Sequence, residues 1–240
     1  MQTTQNTPVT LCACASRTFI PKEKVAELAA ALKNAGCNVA IEADLCKKAV
    51  ESPAAMAAIA GGTVLACHPR AVASLFAWLG LEAKRIENMR EQSRDELLSQ
   101  FGLSFSAEKD AAEKAAFLKK IEEFPVESGT DAWFPVLDKA RCVDCGKCHD
   151  FCLFGVYTIE NKQVKVAQPH KCKNNCPACA RMCPSRAIIF SKYEKSPING
   201  GTAEEETFTP EEMDKMYRAR LQMRLQQRRA SVSLLKKDGE

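Results

Sequence analysis

The chain has 240 residues, 46% hydrophobic and 27% charged, with a formal net charge of +4. That length suits one large domain or two small ones with a sizeable core, and the near-even charge balance does not announce a nucleic-acid binder. The exception is a count of thirteen cysteines. The opening MQTTQNTPVT has neither the basic nor the apolar region of a signal peptide. The small-apolar run AAMAAIAGGTVLAC is shorter than the roughly 20 residues a bilayer span needs. A cytoplasmic setting is therefore expected, where thiols are kept reduced and disulfides are disfavoured. Metal ligation or redox chemistry remains for the cysteines.

Residues 9 to 80 alternate apolar strands with amphipathic helices. VTLCACA reads as a strand. Val25, Leu28, Ala29 and Leu32 recur at helical spacing, so Lys22 to Ala35 is a helix that Gly36 ends. NVAIEADL reads as a second strand, Lys47 to Ala60 as a helix, TVLAC as a third strand and Arg70 to Leu79 as a helix. This order implies a small α/β domain over residues 1–81, with a parallel sheet covered by helices. Glu82 to Phe101 and Glu108 to Phe124 read as two charged helices around GLSFS, a helical spacer or hairpin over 82–130. PVESGTD is a linker into a cysteine-rich, α+β unit over 131–200. A polar linker and basic tail fill 201–240. There the acidic run Glu204–Glu206 precedes Thr209, Pro210 and Glu212, which form a helix start. Lys215, Arg218, Arg220, Arg224, Arg228 and Arg229 follow on that helix.

The cysteine-rich unit contains two runs. Cys142, Cys145, Cys148 and Cys152 are spaced C-x2-C-x2-C-x3-C; Cys172, Cys176, Cys179 and Cys183 follow the same scheme with one extra residue, and Pro184 closes them. Paired C-x2-C units also make zinc ribbons, but zinc usually spreads four ligands over two knuckles of two. Here each run already carries four, and the terminal Cys-Pro fits the iron–sulfur pattern.

Residues 133–200 resemble a bacterial ferredoxin domain with two [4Fe–4S] clusters. GVYTIENKQVKVAQPHKC resembles the hairpin and return that join its halves, and CPSRAIIF resembles its closing strand. The resemblance implies crossed ligation, in which each run lends its fourth cysteine to the other cluster. On that pattern Cys142, Cys145, Cys148 and Cys183 hold one cluster, and Cys172, Cys176, Cys179 and Cys152 hold the other. There are two departures: Leu153 follows Cys152 where proline is usual, and three residues separate Cys172 from Cys176. His149 and His170 read as ordinary surface residues.

Five cysteines lie in the first seventy residues. Cys12 and Cys14 end the first strand, Cys46 follows the second and Cys67 ends the third. In a parallel sheet these ends share one edge, where open α/β folds place ligands. Cys12, Cys14, Cys46 and Cys67 are thus candidates for a third iron–sulfur cluster, with His68 an outside candidate. The alternative is that these thiols merely pack, as free cysteines often do. Cys37 starts the second strand, belongs at the opposite edge and reads as a buried small hydrophobe. LCAC, ADLC and VLACHPR also resemble the amino-terminal iron–sulfur region of the flavin subunit of heterodisulfide reductase. The G-x-G-x-x-G flavin fingerprint is missing, so no flavin chemistry is implied.

Three functions compete. An electron carrier, or electron-transfer subunit, would pass electrons to redox partner proteins through these clusters. A redox enzyme subunit would place a substrate site in the α/β domain, yet no catalytic triad, phosphate loop or spare acid–base pair stands out. An iron–sulfur sensor would bind nucleic acid through the basic helix, but one basic helix is not a recognisable module. Non-catalytic electron transfer fits best, with no nucleic-acid partner expected.

Overall fold

The computed structural model describes residues 8–124, 132–202 and 209–234. Strands β1 (Pro8–Cys12), β2 (Asn38–Glu42), β3 (Thr63–Ala66) and β4 (Arg85–Asn88) form one parallel sheet in the order β2–β1–β3–β4. The central strands carry Val9, Leu11, Val64 and Leu65, all buried. Such near-continuous apolar runs are what a parallel sheet covered on both faces requires. The expected α/β character is therefore present.

Helix α1 (Lys22–Asn34) buries Val25, Leu28, Ala29 and Leu32, the spacing read from the sequence. The helix expected over Lys47 to Ala60 is two helices, α2 (Leu45–Glu51) and α3 (Pro53–Ala60). Pro53 explains the break: proline disfavours helical geometry in the residue before it, and Ser52 adopts φ −142°. Helix α4 (Pro69–Trp78) returns the chain toward β4.

The largest departure is at Glu82–Phe101, which is not one helix. β4 pairs with β3 through Val64 and Ile86, so the polar backbone edge of β3 gains a partner. Helix α5 (Arg94–Ser99) starts only at Ser93, whose hydroxyl accepts from the Glu96 N–H while the Glu96 carboxylate accepts from the Ser93 N–H. This capping box fixes the start inside the expected helix. Helix α6 (Ala111–Glu122) packs along α1 rather than pairing with α5 as a hairpin. Glu27 of α1 clamps Arg94 at 2.9 Å and Lys114 at 2.6 Å. The segment after residue 81 is thus built into the sheet and its helical cover, not set apart as a spacer.

The second half contains β5 (Val136–Leu137), α7 (Lys147–Phe151), β6 (Tyr157–Glu160), β7 (Gln163–Val166), α8 (Ala178–Met182) and β8 (Ile188–Ile189). β5 and β8 pair antiparallel; β6 and β7 form a hairpin. Its turn residues Asn161 and Lys162 both have positive φ, 50° and 64°, the type I′ geometry that matches strand twist. The expected hairpin and closing strand are in place. Helix α9 (Pro210–Leu234) follows, with the reciprocal Thr209–Glu212 cap read from the sequence. The linker PVESGTD and the acidic run Glu204–Glu206 lie outside the described residues.

The halves pack closely. Trp78 of α4 lies 5.2 Å from Phe134, and its Nε1–H donates to the Val166 carbonyl at 2.9 Å. Arg70 pairs with Asp138 and donates to the Arg186 carbonyl, both at 2.5 Å. Gly200 has φ +92°, and a Cβ there would come 2.6 Å from that of Ala71, so only glycine lets the return segment pass α4. Among the described residues no helix is long and apolar enough to cross a membrane.

Phe190, 1% exposed, stacks on Trp133 at 5.1 Å where β8 turns toward the first half. Phe190→Ala is expected to cost about 3–5 kcal/mol, the range for emptying a buried aromatic site. Urea denaturation followed by tryptophan fluorescence would measure it, Trp133 being the reporter.

Candidate metal centres

The two cysteine runs fold alike. In each, a one-turn helix carries the third cysteine, Cys148 in α7 and Cys179 in α8, and ends on the fourth, Cys152 or Cys183, in extended geometry. The helix thus carries the fourth thiol away from the loop holding the first two. Burial raises the Cys148 thiol above its ordinary range, and the thiols of Cys183, Cys179, Cys142 and Cys145 raise it further. The Cys142 thiol is raised chiefly by burial, with Cys183 again contributing. Cys183 is thus close enough to Cys142 and Cys148 of the other run to act on both electrostatically.

The mirror arrangement holds for Cys152. Cys172 is pushed up to about 12 by burial, then by Cys176 and Cys152. Cys179 is pushed up to about 12, again first by burial, with Cys172 and Cys152 adding to it. A cavity of about 540 Å³ opens among Cys152, Cys172, Cys176 and Cys179, walled by Pro135, Val156 and Tyr157. Four thiols in an apolar wall suit a thiolate-held iron–sulfur cluster, because a coordinating metal removes the proton that burial would otherwise retain. Hydrogen bonds to sulfur add to the fit: the Tyr157 hydroxyl donates to Cys179 Sγ at 3.1 Å and the Ala187 N–H to Cys183 Sγ at 3.4 Å. His149 is exposed and 3.0 Å from Asp150, and His170 is exposed, so neither joins the thiols.

A third group of cysteines gathers at the carboxyl edge of the parallel sheet. Cys12, Cys14, Cys46 and Cys67 line one small pocket, from three stretches distant in sequence. Topology brings them there, because β1 lies between β2 and β3. The first strand stops at Cys12, earlier than the sequence pattern predicts, and Cys14 adopts a left-handed turn with φ 48°. The Asp44 carboxylate caps α2 by accepting from the Cys46 and Lys47 N–H groups. The Leu45 N–H points at Cys12 Sγ, 3.5 Å away. Burial is the main reason that all four thiols are raised, Cys67 to about 12, and neighbouring thiols add to it for Cys12, Cys46 and Cys67.

Cys37 lies next to the start of β2, at the opposite edge, packed in the core. His68 is buried but lies outside the wall of the cysteine pocket; its Nδ1 faces Glu91 Oε1 at 3.5 Å. Sequence reasoning missed Ser191 and Lys192, which reach this pocket from just beyond β8. No spacing rule links residue 192 to Cys14. All thirteen cysteines are outside disulfides. Among the described residues, no three or more His, Cys, Asp or Glu side chains are arranged to hold a single metal ion.

Two cysteine runs of this spacing, joined by a hairpin and closed by a short strand, point to an iron–sulfur protein of the ferredoxin type, and comparison with known proteins agrees. An uncharacterized ferredoxin of Methanocaldococcus jannaschii is 44% identical over 76 residues, which is 32% of this chain and 52% of the relative. The match thus spans about half of that relative's length. Ferredoxin-3 of Nostoc sp. is 30% identical over 88 residues, 28% of this chain and 90% of the relative. Pyruvate synthase subunit PorD of M. jannaschii is 34% identical over 74 residues, 29% of this chain and 84% of that subunit. No family model matches the chain. The chain belongs to the ferredoxin family through its cysteine-rich unit.

Proposed function

We propose that the chain is a non-catalytic electron carrier, or an electron-transfer subunit of a redox complex, with three iron–sulfur centres. Two [4Fe–4S] clusters are held by Cys142, Cys145, Cys148 and Cys183, and by Cys172, Cys176, Cys179 and Cys152. The third is held by Cys12, Cys14, Cys46 and Cys67, a site whose sequence also resembles the heterodisulfide reductase region. Such centres supply one-electron transfer. The protein's part is to hold them through thiolates, bury them, and aim hydrogen bonds such as that of Tyr157 at their sulfurs. The observation that carries this reading is the folding of two cysteine runs into one unit together with the convergence of four further cysteines on one pocket. The likeness to a subunit of pyruvate synthase favours a place beside a partner protein in a larger redox complex. Against a substrate site, the polar groups at the amino-terminal pocket, Ser16, Asp44 and Lys192, bond to one another.

The test is anaerobic purification followed by reduction with a low-potential chemical donor. Acid-labile sulfide, paramagnetic signals on reduction and re-oxidation by an acceptor protein such as cytochrome c are expected. Tightly bound zinc without sulfide would overturn the reading.

Helix α9 has a definite place in it. Met213 is buried, Lys147 bonds Asp214 at 2.6 Å, and Arg220 donates to the Cys183 carbonyl at 2.5 Å. Tyr217, Leu221 and Arg224 wall the cavity of the second cysteine set. An apolar side of the helix thus packs onto its own chain, leaving Met223 and Leu225 exposed. Removing residues 209–240 should speed loss of iron from the second set several-fold on exposure to air. Unchanged iron loss would show that α9 does not shield this set.

A further inference from the structure

Lys192 reaches the amino-terminal cysteine pocket from the other half of the chain. It follows β8, the strand that closes the ferredoxin-type unit, yet it lines the same pocket as Cys12, Cys14, Cys46 and Cys67. Its side chain is 3% exposed. The ammonium donates to the Asp44 carboxylate and to the Ser16 hydroxyl, and Ser16 in turn donates to the same carboxylate at 2.7 Å. A buried lysine is costly unless it is paired, and this one is held by a carboxylate that also caps α2 beside Cys46.

Lys192 and Asp44 both line the cysteine pocket, and the Asp44 carboxylate and Ser16 hydroxyl hold the ammonium there against the cost of burial. Arg90 adds a second positive charge near Cys14 and Cys67, and donates to the carbonyls of Tyr193 and Glu194, just past Lys192. The segment 192–194 is therefore tied to the amino-terminal half at two points, and both bring positive charge toward the cysteines.

We propose that Lys192 is a positioning residue through which the ferredoxin-type unit sets the redox potential of the amino-terminal cysteine site. Its buried ammonium favours an added electron there, and Asp44 is the opposing charge. The inference rests on the reading that these cysteines hold an iron–sulfur centre. Reduction adds one electron to the site from an external donor, with no covalent bond formed or broken, and Lys192 keeps its proton throughout. A buried charge lining the same pocket as the added electron acts at lower effective dielectric than water, so its removal shifts the equilibrium strongly. Docking the ferredoxin-type unit thereby completes the amino-terminal site.

The experiment is a potentiometric titration of the full chain, anaerobically loaded, followed by electron paramagnetic resonance. The amino-terminal signal is identified as the one missing from Cys67→Ser. Lys192→Met should lower its midpoint, cutting the reduced fraction relative to the oxidised at a fixed potential at least tenfold, about 59 mV for one electron. Asp44→Asn, which keeps an oxygen for the α2 cap, should move the midpoint up. The double variant should fall between them, and the other two centres should hold their potentials.

Midpoints that stay put, or that move the same way in both single variants, overturn the inference while leaving the third centre standing. If Lys192→Met fails to load, the upward shift in Asp44→Asn and a near-native midpoint in Lys192→Arg decide the matter alone. A wild-type chain with ferredoxin-type signals but no third signal sinks the amino-terminal part of the proposed function, and this inference with it.

Discussion

Cys183→Ala is expected to remove about four of the eight irons that two cubane clusters would bring to the ferredoxin-type unit. The loss should fall on the set of Cys142, Cys145 and Cys148, some forty residues earlier, and spare Cys172, Cys176 and Cys179. The reason lies in the two one-turn helices. Cys179 sits in α8 and Cys183 ends it, so that the backbone carries the fourth thiol away from its own loop. There it acts electrostatically on Cys148 and Cys142 of the other run. Cys152→Ala should do the reverse, because Cys152 ends α7 and lies with Cys172 and Cys179. Iron and sulfide analysis with paramagnetic resonance of the reduced variants would separate the two signals. If each variant instead lost the cluster nearest in sequence, the crossed assignment would be wrong.

The ferredoxin-type unit was legible because its chemistry is written locally. Two residues between ligands is a short-range constraint, and the hairpin turn and closing strand lie within a few residues of the cysteines. The α/β half was legible only where burial imposes a period, as along α1 and the central strands. At Glu82–Phe101 the charged residues carry a helical pattern, but the edge of β3 needs a partner, and Ile86 supplies it. Tertiary pairing overrode local preference there, and Ser93 shows where helix resumes. Lys192 was illegible for a different reason. A lysine after a closing strand is usually solvated, and only the docking of the halves puts its ammonium beside Asp44.

Cys46→Ser and Cys67→Ser are each expected to remove a further four irons or so, from the amino-terminal site, without touching the other two centres. Cys37→Ser should leave the iron count unchanged. The contrast follows from the sheet. β1 lies between β2 and β3, so Cys12 and Cys14 leave its end with Cys46 on one side and Cys67 on the other. Cys37 is as buried as Cys12, both being 7% exposed, but it enters β2 at the far edge. Burial alone therefore cannot distinguish a ligand from a packed thiol here; position at the carboxyl edge does. The measurement belongs on the full chain, because Ser191 and Lys192 complete the pocket and an amino-terminal fragment would lack them. Equal iron in all three variants would mean that the four thiols only pack. The chain would then be a two-cluster ferredoxin whose α/β half serves another purpose.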